Sequence, residues 1–178
     1  GSSMGARLVL ELARRGVVGA VVSLDPGGFW KGWQIPVFYY SVAASVRLLR
    51  VLQPLMPAIT GNAVGRTLLL SQFSSHPWKV PAGVALVEMQ TFAKTTNFDE
   101  LLRQLAYGKT QEDAPRGSIK APLVIGWGRQ DRVVLPSQSG RALEAFPDAH
   151  LHWFDNCGHF PHWDQPEQTT QLILSTVQ

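Results

Sequence analysis

The sequence predicts an α/β fold built on a parallel sheet, and three observations carry that reading. Helical and extended patterns alternate along the chain. Two of the extended runs, residues 17–24 and 122–127, are apolar without alternation, as strands covered on both faces are. Polar residues follow directly after the extended runs, at the strand ends where open parallel sheets gather functional groups.

Composition narrows the class. A chain of 178 residues that is 45% hydrophobic can bury one sizeable core, so one domain is expected. The net charge is only +3, and the arginines are scattered, so no nucleic-acid partner is expected. Lone Cys157 leaves no internal disulfide and fits a reducing, cytoplasmic compartment.

The first element is a turn. Gly1-Ser2-Ser3-Met4-Gly5 has the form G-x-S-x-G and runs straight into a helical pattern. That form suits a sharp strand-to-helix turn that pushes one hydroxyl, that of Ser3, into the open. Gly1 and Gly5 then stand where a side chain would collide with a neighbour. Ser3 sits at a helix N-terminus, where free N–H groups favour an anion. The same residues also read as a tag remnant ahead of an initiator methionine.

Residues 4–15 read as an amphipathic helix. Met4, Leu8, Leu12, Val9 and Ala13 form its apolar side, Arg7, Glu11 and Arg15 form a charge ladder, and Gly16 closes it. The strand at 17–24 ends in Asp25-Pro26-Gly27-Gly28. From Phe29 the texture turns aromatic and helical, with further helical pieces at 61–73 and 81–94. This marks a helical insert at 27–96 between core segments 1–26 and 97–178. The apolar run from Ile35 to Ile59 is broken by Arg47, Arg50 and prolines, so no membrane span is expected, a span needing about 20 apolar residues. A lipid-touching surface stays open.

Asn97 and Glu100 have capping-box spacing ahead of a helix closed by Gly108. The second strand, 122–127, leads into Gly128-Arg129-Gln130-Asp131. A helix at 137–146 and a third strand at 150–154 follow, the latter running into Asp155-Asn156-Cys157-Gly158-His159. Pro166 opens a last helix over 166–177.

Three polar residues thus fall beyond strand ends in the order Ser3, Asp131, His159. With Gly1-Ser2-Ser3-Met4-Gly5, the strand and turn from Pro122 to Asp131, and Gly158-His159 followed by Pro166, the sequence resembles the C-terminal part of an α/β-hydrolase with a serine nucleophile. It starts at the nucleophile turn, is incomplete at the N-terminus, and carries an insert resembling the helical lid of many members. The resemblance implies Ser3 as nucleophile, Asp131 as the acid that orients the imidazole, and His159 as base and then acid. It implies one oxyanion N–H from Met4. The loop supplying a second is not in this sequence, so the chain alone is expected to be inactive.

Each assignment has a rival. Asp25 competes with Asp131, because some members take the acid from that loop, and His162 competes with His159. His150 and His152 read as strand residues rather than metal ligands, and Cys157 as a packing residue. Trp30 and Trp33, within the aromatic cluster, are candidate substrate-wall residues. The resemblance implies a serine hydrolase that cleaves an ester or related acyl bond of a small apolar substrate through an acyl-enzyme. No cofactor and no metal are expected. A carbon–carbon bond hydrolase or haloperoxidase-like member, and a non-catalytic binding protein on the same fold, are the alternatives.

Overall fold

The computed structural model describes residues 1–178. Its sheet is parallel, with β1 (Val21–Leu24), β2 (Leu123–Gly128) and β3 (His150–Phe154) side by side in that order. Gly1 and Ser2 run alongside β1. Ser2 bridges Leu24 in parallel, the Leu24 N–H donates to the Gly1 carbonyl at 2.8 Å, and the Ser3 N–H donates to the Leu24 carbonyl at 2.9 Å.

The unalternating strands are buried on both faces. Val21, Leu123, Ile125 and Trp127 join the main core, with Leu10 and Ala13 of α1 (Met4–Arg14). Leu24 and Phe154 pack on the other face against Leu172 of the last helix. Strand β1 starts at Val21 rather than residue 17 for a local reason. The Gly16 and Val17 N–H groups turn back onto the carbonyls of Ala13 and Leu12, closing α1, and Val17 is left exposed.

Helix α1 is rotated from the expected face. Ala6, Leu10 and Ala13 are buried, whereas Met4 and Leu8 are exposed. Arg14 and Arg15 both grip Glu11 and hold its carboxyl down to about 2. Arg7 leaves the ladder and donates instead to the Leu105 and Lys109 carbonyls.

Four helices follow β1: α2 (Gln34–Val51), α3 (Met56–Gly61), α4 (Ala63–Leu70) and α5 (Ala82–Lys94). The helix expected at 61–73 is shorter at both ends, α4 running from Ala63 to Leu70. Asn62 lies extended between α3 and α4 and caps α4 by accepting the Gly65 N–H at 2.7 Å. Pro57, read as a breaker, sits in the first turn of α3, where proline is tolerated. These helices share a small core of Leu49, Met56, Leu70, Val80, Ala85 and Met89. Phe38, Val42 and Ala43 of α2 belong to the main core. No single helix is long and apolar enough to cross a membrane; α2 and α3 together would be, but bend by 65°.

Helix α6 (Phe98–Tyr107) begins without the capping box. Asn97 makes no cap bond, and Glu100 is taken by Arg103 and Gln104. After β2 come a 3-10 turn at Pro136–Gln138 and α7 (Ser139–Ala145). After β3 come a short α8 (Pro161–Asp164), not read in the sequence, and α9 (Pro166–Val177).

Candidate active site

The turn after Ser2 is tight. Ser3 adopts φ 55 and ψ −115, a backbone that L-residues hold only when their surroundings force it. A Cβ on Gly1 would overlap the Gly5 carbonyl, which explains glycine there. Gly5 is a correction: nothing lies within 4 Å of where its Cβ would be. Ser3 is the residue preceding α1, and Met4 is its first helical residue. The Met4 N–H is therefore among those with no intrahelical acceptor.

The ends of β2 and β3 bring two more side chains to this turn. The His159 Nδ1–H donates to Asp131 Oδ2 at 2.8 Å, and the Ser3 hydroxyl donates to His159 Nε2 at 2.9 Å. The acceptor on the carboxylate side fixes the tautomer, leaving Nε2 free to accept. Asp131 Oδ1 accepts the N–H groups of Val133 at 2.7 Å and Val134 at 3.0 Å. Asp131 and His159 are buried, at 3% and 2% exposure, so this relay works with little screening by water. Chemically, the arrangement can take a proton from Ser3 and hold the resulting imidazolium against a carboxylate.

A second carboxylate stands beside it. Asp25 is fully buried at the end of β1, and its Oδ1 accepts the Gly128 N–H at 2.8 Å. It does not contact the imidazole as an acceptor; Asp131 does. The other rival base, His162, hydrogen-bonds neither Ser3 nor Asp131, and burial lowers its tendency to charge. His152 meets the Gln168 amide at 3.0 Å. Cys157 is buried, and that burial, first among the causes, pushes its thiol up, away from reactivity.

The His159 loop is tied to the helical insert. Asp164 Oδ2 accepts the N–H groups of Gly158 at 2.7 Å and Ser75 at 2.8 Å, and its Oδ1 accepts the Ser74 hydroxyl. The His159 N–H donates to the Phe73 carbonyl at 2.8 Å. The spacing of Ser74, Ser75 and Asp164 gave no hint of this, because the partners lie 89 and 90 residues apart.

Ser3 and His159 open onto a cavity of about 370 Å³ between the sheet end and helices α2, α5 and α6. Its walls are Phe38, Val42, Phe73, Phe92, Phe98, Leu101, Leu102, Leu105, Val133 and Phe160, with Met4 at the turn. Thr91 and Thr95 also line it, but each hydroxyl is turned back onto its own helix. Glu88 lines it without an ion pair or hydrogen bond, and no lysine or arginine does. Trp30 and Trp33 are not wall residues. Trp30 is buried, stacked on Phe38 at 4.2 Å, and Trp33 is 65% exposed. The wall comes from the i, i+4 pair Phe38 and Val42 and from helices α5 and α6, whose inward faces depend on tertiary packing.

A model of the alpha/beta hydrolase family matches residues 1–172. The chain belongs to the alpha/beta hydrolase family. It is similar to 2-hydroxy-6-oxononadienedioate/2-hydroxy-6-oxononatrienedioate hydrolase 2 of Pseudomonas putida, 42% identical over 60 residues, which is 34% of this chain and 21% of that protein. It is also similar to 2-hydroxy-6-oxo-6-phenylhexa-2,4-dienoate hydrolase of Burkholderia cepacia, 44% identical over 63 residues, covering 34% of this chain and 22% of that one. Among solved structures, 2-hydroxy-6-oxo-6-phenylhexa-2,4-dienoate hydrolase from Rhodococcus sp. strain RHA1 superposes with a TM-score of 0.61 at 17% identity. That match covers 99% of this chain and 62% of the other, and it speaks for the fold alone. The alpha/beta hydrolase fold thus holds as read. The matched segments span only a fifth or so of the curated relatives' lengths.

Proposed function

We propose that this chain carries the serine, base and acid of a hydrolase that cleaves a carbon–carbon bond next to a ketone. The observation that carries the reading is the Ser3–His159–Asp131 relay, at 2.9 and 2.8 Å, opening onto an apolar cavity. The named relatives favour carbon–carbon cleavage of 2-hydroxy-6-oxo-dienoates over the ester cleavage expected from the sequence.

His159 Nε2 takes the proton of Ser3 as its Oγ adds to the ketone carbon, and Asp131 steadies the imidazolium. The oxyanion turns to the Met4 N–H at the helix start. The neighbouring carbon then leaves with the bonding pair. In the keto tautomer of such a substrate that pair spreads into a conjugated oxo acid, which makes carbon a tolerable leaving group. His159 returns its proton to the departing fragment. Water, deprotonated by the same imidazole, adds to the acyl-Ser3, and the carboxylic acid leaves as Ser3 regains its proton.

The wall supports a choice between the relatives' substrates. An apolar cavity with Glu88 and no cation suits an uncharged phenyl or alkyl substituent on the ketone better than a second carboxylate. The test is hydrolysis by the natural gene product of the 6-phenyl dienoate, the dioate and a p-nitrophenyl ester. The reading expects the highest kcat/KM for the 6-phenyl ketone, lost in Ser3→Ala. Ester hydrolysis alone would return the assignment to an esterase.

A further inference from the structure

Asp25 is the buried ionisable group that the relay leaves unused. Its backbone is left-handed, at φ 47, and its side chain is closed off from water. Oδ1 accepts the Gly128 N–H at 2.8 Å, while Oδ2 is buried and receives no donor. One of its carboxyl oxygens lies within 4.8 Å of ligating atoms on both Asp131 and His159. Two ionised carboxylates so close in a dry site repel strongly, and one of them keeps its proton. Asp131 is the better held as an anion. Three donors converge on it, from Val133, Val134 and His159, against one on Asp25.

The surrounding charges agree. Burial first, and then the Asp131 charge, raise the Asp25 carboxyl well above its ordinary value; the Gly128 N–H opposes them, and Asp164 adds to the rise. The other titratable neighbours are the His159 imidazole, the Cys157 thiol, itself raised by burial, and His162 beyond His159.

We propose that Asp25 is a positioning residue: it keeps a proton on Oδ2 and donates it to the Asp131 carboxylate, so that His159 shares its partner with a second donor. The proposal rests on the Ser3–His159–Asp131 reading above.

Asp25→Asn and Asp25→Ala, made in the natural gene product, test it. Asparagine preserves both contacts, its oxygen accepting from Gly128 and its amide donating to Asp131. A carboxyl raised in the folded state contributes its full stability at low pH and loses it as pH rises. The melting temperature of Asp25→Asn should therefore exceed the parent's by a margin that widens as pH climbs above the ordinary carboxylate range. The acid limb of kcat/KM should stay in place in Asp25→Asn. In Asp25→Ala it should move up by about one pH unit, as for loss of one hydrogen bond to a charged group. An Asp25→Asn protein that melts below the parent throughout, or whose acid limb falls, would mean an ionised Asp25 and overturn the proposal. An unmoved acid limb in Asp25→Ala would reduce Asp25 to packing. If the alanine variant does not fold, the two asparagine arms decide. Activity that survives Ser3→Ala would instead sink the triad reading, and this proposal with it.

Discussion

Ser3 holds its backbone at φ 55 and ψ −115, and such a conformation costs about 1–3 kcal/mol in a residue with a Cβ. Ser3→Gly should therefore abolish hydrolysis yet raise the melting temperature by about 2–4 °C, read by thermal unfolding. A fall would mean the turn is not strained. The acid can be ranked at the same scale. Asp131 holds the imidazole in place and Asp25 does not, so Asp131→Asn should lower kcat by about 10³–10⁴ while Asp25→Asn lowers it little. The opposite ranking would move the acid to the end of β1. Both residues were legible from their place after a strand. Their division of labour was not, because it depends on which carboxylate faces Nδ1.

Elements explain what the sequence revealed and what it hid. Strand β3 and helix α9 lie where periodicity and Pro166 put them, since each is bounded by local signals. The apolar face of α1 was misjudged, with Leu8 exposed and Ala6 buried, because small residues let the helix approach β1 closely. The capping box before α6 failed because Arg103 and Gln104 offered Glu100 better partners. The Asp164 clamp was invisible, as nothing local marks a contact between the insert and the His159 loop. Asp164→Ala leaves the Gly158 and Ser75 N–H groups without their acceptor. It should cost about 1–3 kcal/mol in thermal unfolding and lower kcat/KM through a loosened His159, with Asp164→Asn restoring part of both. Unchanged kcat/KM would uncouple the insert from the base.

For the whole molecule, the parallel sheet gathers three side chains from distant segments beyond the C-terminal ends of its strands, and helices α2, α5 and α6 close an apolar cavity over them. The alternation of helices and strands made the sheet and the site order readable. The cavity wall was not readable: the aromatic cluster drew attention to Trp30 and Trp33, but Trp30 went into the core and Trp33 to solvent. Phenylalanines from α2, α5 and α6 took their place. The charge of that wall is a molecular property with its own consequence. Glu88→Gln should raise kcat/KM for the dioate several-fold more than for the 6-phenyl dienoate, which carries one carboxylate fewer, a comparison of two steady-state assays. An equal change in both would show that Glu88 does not sense the charge of the tail.

The most direct test of the account is to treat the natural gene product with a fluorophosphonate and locate the adduct by peptide mass spectrometry. Covalent modification should fall on Ser3 and drop steeply in His159→Ala, since the imidazole at 2.9 Å activates the hydroxyl. A label on another residue, or labelling of Ser3 that ignores the loss of His159, would contradict it.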